Sequence, residues 1–230
     1  MSVSAPQDLD GRRDRWREHR ERRRREFVDA ALRVLAAQGP ELAMDAVAAE
    51  AGISKPVLYR YFHDKAALVQ ALDQRGGELL FARLLPTLTA EGPARAGVQD
   101  AVAAYFEVID EHPNLYWLIA RKPPVDGSGG PGPAEEHRAF IAATLASLID
   151  ESVRLFDLDP AGSQPWAQGI TGAVQATGEW WLRTRAMSRS QVVGYVTQMV
   201  WAALSGVLRD AGVVVDPDLP WSAGRRAATP

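Results

Sequence analysis

Apolar residues recur along this chain at the spacing of an α-helix, and that periodicity restricts the fold more than any other feature. Val98, Val102 and Ile109 share one helical face, and residues 141–156 repeat the same spacing. No comparable run alternates with period two, as a half-buried strand would require. Because Gly and Pro interrupt the pattern, we expect an all-α protein of about nine helices. The predicted helices are residues 15–38, 44–51, 55–61, 65–90, 94–111, 114–121, 134–157, 165–185 and 189–211.

The composition predicts a folded chain whose positive charge is concentrated near its start. Apolar residues make up 47% of the 230 residues, and the absence of cysteine excludes disulfides and thiolate metal sites. Between residues 12 and 26, nine arginines stand against four acidic residues. Such a run can follow a polyanion, and a solvated tail is the alternative. No secretion signal or long apolar span is present in the sequence, so we expect a cytoplasmic protein without a membrane segment.

Residues 44–65 carry the pattern of two short helices joined by a tight turn. The first helix is rich in Ala and stops at Gly52, which adopts a left-handed conformation at little cost. We expect Ile53 to pack between the helices and Ser54 to cap the second helix, whose first turn tolerates Pro56. This pattern is typical of a helix-turn-helix, in which the second helix presents its first residues to the DNA major groove.

The second helix of the pair is the predicted recognition helix. Leu58 and Phe62 are four residues apart and should face the core, which leaves the opposite side for DNA. Val57 offers only methyl groups, so a thymine methyl is its favoured partner, and packing under the first helix is the alternative. The exposed candidates for DNA contact are Lys55, Val57, Tyr59, Arg60 and Tyr61.

These residues resemble the signature of the TetR/AcrR family of regulators. That signature joins an Ala-Gly-hydrophobic-Ser turn to a Leu-Tyr-x-(Tyr/His)-Phe helix and a capped Lys. The matching elements in this chain are Ala51-Gly52-Ile53-Ser54, Leu58-Tyr59-Arg60-Tyr61-Phe62 and Asp64-Lys65. The resemblance covers residues of about 22–75.

The resemblance implies a role for each matching position. Lys55, Pro56 and Val57 would meet base edges or flanking phosphates. Tyr59, Tyr61 and Lys65 would contact phosphates, and we add Arg22 and Arg24 from the arginine run. One departure is Ala43, where the family usually has a Thr or Ser that caps the helix at residues 44–51 and touches the DNA backbone. The missing hydroxyl should weaken that cap by about 1 kcal/mol.

The resemblance also implies a domain order. We expect a basic arm at 1–21, a helix-turn-helix domain at 22–67, a helical ligand-binding and dimerisation domain at 68–212, and a flexible tail at 213–230. The Gly/Pro-rich segment 123–133 lacks the spacing and lysine of a phosphate-binding loop, so we expect a surface loop there.

The resemblance implies an effector pocket within the C-terminal helices. The large apolar side chains and few charges there favour an apolar effector, such as a fatty-acyl chain, an aromatic compound or a lipophilic drug. Ordinary core packing is the alternative for most of them. The predicted ligand contacts are Phe81, Leu84, Phe106, Ile109, Trp117, Phe140, Leu145, Gln175 and Trp180.

The resemblance implies a dimer interface built from the last two helices. Small and apolar residues there permit a four-helix arrangement, and the core of a monomer is the alternative. The predicted interface residues are Ile170, Ala173, Val174, Val196, Met199, Val200, Ala203 and Leu204. The expected partners are therefore a pseudo-palindromic operator duplex, an apolar effector and a second copy of the chain. We expect a repressor that its effector releases from DNA.

An enzyme is the main rival class. The four histidines form no His-Glu-x-x-His pair, no serine lies in a nucleophile elbow, and no Gly-rich fingerprint follows a strand. We therefore predict no catalytic residues, no metal site and no cofactor. A regulator that responds to a protein partner, or that has no effector, stays open.

Overall fold

The computed structural model describes residues 7–120 and 133–226, and these residues are overwhelmingly helical. The helices are α1 (Gln7–Gln38), α2 (Met44–Glu50), α3 (Lys55–Tyr61), α4 (Lys65–Thr89), α5 (Ala94–Glu111), α6 (Pro113–Ala120), α7 (Pro133–Arg154), α8 (Ser163–Thr184) and α9 (Arg189–Asp210). The prediction of an all-α protein with about nine helices is confirmed. Helix α1 begins before residue 15, so the arginine run is part of a helix from Gln7 onward. Most of the predicted loop at 123–133 lies outside the described residues.

The described chain divides into two compact units. The first contains residues 7–75 and 114–120, and the second contains residues 76–113 and 133–226. The division therefore falls inside α4 rather than at residue 67, and it assigns α6 to the first unit. Helix α6 belongs there because Leu115 is buried in that unit's core, and the Asn114 side-chain amide donates to the Leu35 carbonyl oxygen over 2.7 Å.

The core of the first unit is built from α1 to α4. Phe27, Leu58 and Phe62 are fully buried in it, as are Leu68 and Leu72 at the start of α4. Each such side chain contributes about 1.5–3 kcal/mol when it leaves water, so this small unit has a stable centre. The expectation that Leu58 and Phe62 face the core is confirmed.

In the second unit, α7 packs along α8 and α5 packs along α9. The segment after α9 differs from the expected flexible tail. Two short antiparallel strands, β1 (Val213–Val214) and β2 (Arg225–Arg226), pair there, and Val213 is fully buried. The Trp221 ring lies 5.4 Å from that of Trp201. Val213 and Val215 are both buried, because alternate residues of an extended segment face the same side, and together they anchor this short segment.

Helix α9 begins with a complete capping box. The Ser188 hydroxyl accepts from the Gln191 backbone N–H, and the Gln191 side chain accepts from the Ser188 backbone N–H.

By length and composition, α9 is the one helix within 7–120 and 133–226 that could cross a membrane, and 33% of its apolar stretch is buried in the protein. A lone helix of this kind is weak evidence for a span, since core helices have the same composition.

Candidate nucleic-acid interface and ligand cavity

The turn between α2 and α3 has the predicted geometry. Gly52 has φ +65°, which favours glycine, and its N–H donates to the Ala49 carbonyl over 3.1 Å. The next N–H, of Ile53, donates to the Ala48 carbonyl over 3.0 Å, and the Ile53 side chain packs on the core. Ser54 occupies the N-cap position of α3, although its hydroxyl makes no capping hydrogen bond within the described chain.

Helix α3 presents one polar side to solvent. Lys55, Pro56 and Arg60 are exposed, and the Tyr59 side chain is 39% exposed. Val57 is half-buried. The half-buried ring of Tyr61 lies edge-on to the core ring of Phe27 with centroids 4.9 Å apart. Packing against the core therefore restricts the Tyr61 ring.

Lys55 forms an ion pair that the sequence analysis missed. Its Nζ lies 2.9 Å from Asp45 Oδ1 and 3.0 Å from Asp45 Oδ2. The hydrogen bond to Asp45 and the charge of that carboxylate raise the pKa of Lys55 above its ordinary value. The ion pair therefore favours the charged form that a lysine already has at neutral pH. The sequence signal for this pair was the position of Asp45, which lies in the first turn of α2, the helix that precedes α3.

Arg24 contacts the end of α3 rather than solvent. Its Nη1 donates to the Tyr61 carbonyl oxygen over 3.1 Å, and its guanidinium carbon lies 4.4 Å from the centroid of the Phe62 ring. These contacts satisfy a terminal carbonyl of the helix and add a cation–π interaction. Arg24, which lies on α1, thus helps to hold the C-terminal end of α3 in place. Arg22 is exposed, and its Nη2 lies within hydrogen-bonding distance of His19 Nδ1, at 2.8 Å.

The start of α4 is capped by Asp64. Its Oδ1 accepts from the Ala67 N–H over 2.7 Å, and its Oδ2 lies 3.0 Å from His63 Nε2. Lys65 follows as the first helical residue and is exposed. At α2, Ala43 occupies the N-cap position without a side-chain hydrogen bond, as its missing hydroxyl requires.

The second unit contains a cavity of about 720 Å³. Its walls come from α4, α5, α7, α8 and α9 and are mainly apolar. They include Leu84, Val98, Ile141, Leu145, Leu148, Trp166, Ile170, Val174 and Leu204. The polar groups on the wall are few and include Thr87, Tyr105, Ser152, Thr171 and Gln175. A cavity of this size and character is typical of a site for a small apolar molecule with one or two polar groups.

Three predicted ligand residues, Leu84, Leu145 and Gln175, line this cavity. The other six do not: Phe81, Phe106, Ile109, Trp117, Phe140 and Trp180. Phe106 is fully buried and meets the ring of Trp181 at 5.6 Å, so it is core. Trp117 belongs to the first unit, Trp180 is 41% exposed, and Phe140 is exposed and stacked edge-on against Phe81.

Most of the predicted dimer residues also lie on the cavity wall. Ile170, Ala173, Val174, Met199, Val200, Ala203 and Leu204 line it. Val196 and Val200 are buried within the single chain, so they are not free to meet a second copy. The large apolar side chains that do reach solvent on α8 and α9 are Trp180, Tyr195 and Met199.

Thr171 is a cavity residue that sequence reasoning missed. The residue is 7% exposed, and its hydroxyl has no hydrogen-bond partner among the described residues. A buried unpaired hydroxyl costs stability unless a partner reaches it. A threonine inside an apolar helix gave no signal of this in the sequence.

Two family models match the chain. The model described as bacterial regulatory proteins of the tetR family matches residues 27–72. The model described as the tetracyclin repressor-like C-terminal domain matches residues 83–213. The first match contains the helix-turn-helix and the second contains the cavity.

Two curated relatives are similar over most of their length. The uncharacterized HTH-type transcriptional regulator Rv0472c of Mycobacterium tuberculosis is 31% identical over 88% of this chain and 86% of its own. The HTH-type transcriptional activator FasR of Mycolicibacterium smegmatis is 29% identical over 82% of this chain and 85% of its own.

Two solved structures share the fold. A tetR-family transcriptional regulator from Streptomyces coelicolor has a TM-score of 0.64 and 26% identity, covering 83% of both chains. The regulator FadR from Bacillus subtilis, in complex with stearoyl-CoA, has a TM-score of 0.61 and 17% identity, covering 79% of this chain and 97% of its own.

Proposed function

This chain belongs to the TetR family of bacterial DNA-binding transcriptional regulators, and we propose that it is a non-enzymatic repressor, released from its operator by an apolar small molecule. The observation that carries the proposal is a large apolar cavity in the same chain as an exposed helix-turn-helix. A ligand that binds one conformation of the protein more tightly than another shifts the population toward the first. The size of the shift is set by the difference between the two affinities.

The DNA side of the proposal assigns roles along α3 and α4. Lys55, with Pro56 and Val57 beside it, reads base edges in the major groove. Tyr59 and Lys65 bind phosphates, with Arg60, Tyr61 and Arg22 as further contacts. Arg24 acts indirectly, because its hydrogen bond already goes to the last carbonyl of α3.

The effector side rests on the character of the cavity. Its apolar walls favour a hydrocarbon or aromatic body, and Gln175 offers hydrogen bonds to a polar end. FadR of Bacillus subtilis, which shares the fold, was solved with stearoyl-CoA. A fatty-acyl compound is therefore the first effector class to test. Because FasR is an activator, transcription measured with and without this protein decides the direction of regulation.

We further propose a homodimer that uses the outer side of α8 and α9 and binds a pseudo-palindromic operator. Trp180 and Tyr195 expose apolar surface there, which a second copy would cover. We propose that α4 transmits effector binding to the DNA-binding residues. The helix begins at Lys65, and Leu84 near its other end lies on the cavity wall. The Gly76-Gly77 pair gives this helix a place to bend.

The test of effector binding uses two neighbouring leucines of α4. Leu84 is 8% exposed and lines the cavity, whereas Leu85 is 52% exposed. Leu84→Trp should fill the cavity, and Leu85→Trp is the matched control. With stearoyl-CoA at about 100 times its dissociation constant, the native protein should gain about 2.7 kcal/mol. That gain corresponds to roughly 5–11 °C in melting temperature for a chain of this size.

We expect the wild type and Leu85→Trp to show this shift and to lose operator affinity by about 5–150-fold, while Leu84→Trp shows neither effect and still binds DNA. Normal effector binding by Leu84→Trp would place the site elsewhere. If acyl, aromatic and lipophilic compounds all leave the melting temperature unchanged while operator binding is intact, regulation by a protein partner is favoured instead.

A further inference from the structure

Asp45 holds Lys55 at the start of the recognition helix, in a contact that adds little to the fold. Both carboxylate oxygens lie within 3.0 Å of the Lys55 Nζ. The Asp45 side chain is 72% exposed, and the Lys55 side chain is 48% exposed. An ion pair with this much water around it contributes little to folding and exchanges partners readily. Asp45 is therefore the favoured partner of the Lys55 ammonium in the DNA-free protein, and a stronger partner can displace it.

We propose that Asp45 is a specificity-determining residue: its carboxylate stays paired with the Lys55 ammonium until a base of the operator takes the place of the carboxylate. This inference rests on the proposed base-reading role of Lys55. When Lys55 leaves Asp45 for a phosphate, one anion replaces another, and an uncovered carboxylate stays beside a polyanion. Random DNA therefore gains little from Lys55. Uncovering Asp45 costs the same on every duplex and offsets what Lys55 gains from a phosphate. Only an operator whose guanine O6 and N7 both accept from the ammonium adds a further gain, so the base contact decides the affinity.

The salt dependence of binding makes this arrangement measurable. Each phosphate that a cation neutralises adds about 0.9 to the log–log slope of affinity against salt. In Asp45→Asn, Lys55 is free to neutralise a phosphate of any sequence. We expect the slope on random DNA to steepen by about 0.9 and the affinity at low salt to rise about two- to fivefold. The affinity for the operator should change less, so discrimination falls.

The experiment uses the full-length protein and two duplexes of equal length. One is selected from a random pool with the wild type, and the other is a shuffled sequence. Fluorescence anisotropy over a potassium chloride series gives both affinities and both slopes. Glu50→Gln is the matched control, because Glu50 lies at the other end of α2 and pairs with Arg33 of α1 over 2.6 Å. It removes the same charge from the same helix without touching α3.

Two further variants separate positioning from general electrostatics. Asp45→Glu keeps a carboxylate near Lys55 and should restore discrimination, and thermal unfolding of each variant checks that α2 still folds. In a Lys55→Gln background, Asp45→Asn should have no further effect on the slope. The proposal is overturned if Asp45→Asn matches Glu50→Gln, or if its effect survives in the Lys55→Gln background. A Lys55→Gln protein that binds the selected duplex normally would instead remove the base-reading role itself, and the Asp45 proposal with it.

Discussion

The same substitution at two glycines of α8 should change stability in opposite directions. A Cβ added at Gly178 would lie 2.8 Å from Cε1 and 2.9 Å from Oη of Tyr105, and 3.0 Å from Cδ1 of Ile109. Tyr105 is buried and its ring is edge-on to Phe106 at 5.5 Å, so the ring has little room to move. A Cβ at Gly172 would meet no atom within 4 Å. The two sites share a helix and differ in what faces them.

The magnitudes follow from two opposing terms. Replacing Gly by Ala in a helix gains about 0.5–1 kcal/mol at either site. Overpacking costs about 1–3 kcal/mol and acts only at Gly178. We therefore expect Gly172→Ala to be stabilising and Gly178→Ala to be less stable than it by about 1–3 kcal/mol. For a chain of this length, that difference is roughly 2–12 °C in melting temperature.

Circular dichroism at 222 nm, recorded at one protein concentration without ligand, measures this difference. Equal shifts in both variants would mean that Tyr105 yields to the new methyl group, and the inferred tightness between α5 and α8 would be wrong. A large loss of stability in Gly172→Ala would show that another surface covers this exposed glycine. Because Tyr105 also lines the cavity, Gly178→Ala should in addition change ligand affinity, whereas a fully rigid wall would leave it unchanged.

Three further predictions concern the first unit. Ala43→Ser supplies the missing cap of α2 and should raise the free energy of unfolding by about 0.5–1 kcal/mol, measured by urea denaturation. Asp64→Ala removes the cap of α4 and should lower it by about 1 kcal/mol, while Asp64→Asn should restore most of the loss. Arg24→Gln should lower the free energy of unfolding by about 1–3 kcal/mol, because the Tyr61 carbonyl loses a charged donor. Arg22→Gln should instead leave the free energy of unfolding unchanged and reduce the log–log salt slope of DNA binding by about 0.9. Equal stability of the two arginine variants would contradict the positioning role of Arg24.

The helix-turn-helix was predictable because its signals are local. A glycine where the chain must turn left-handed, and Leu58 and Phe62 four residues apart, specify the turn and the buried side of α3 within about a dozen residues of sequence. The partners of the charged side chains were not predictable. Arg24 meets the Tyr61 carbonyl across 37 residues of sequence, and only the packing of α1 against α3 brings them together.

The cavity was harder to predict because periodicity identifies the apolar side of a helix without saying what faces that side. The large aromatics Phe106 and Trp181 fill space, so they form the core, and an aromatic cluster points to solid packing more than to a void. The cavity wall includes small residues on three helices: Gly97, Ala101, Gly169, Ala173 and Ala203. Space is left where small side chains face one another across neighbouring helices. In this chain, small residues four apart on α5 and α8 therefore mark the cavity wall better than the core aromatics Phe106 and Trp181 do.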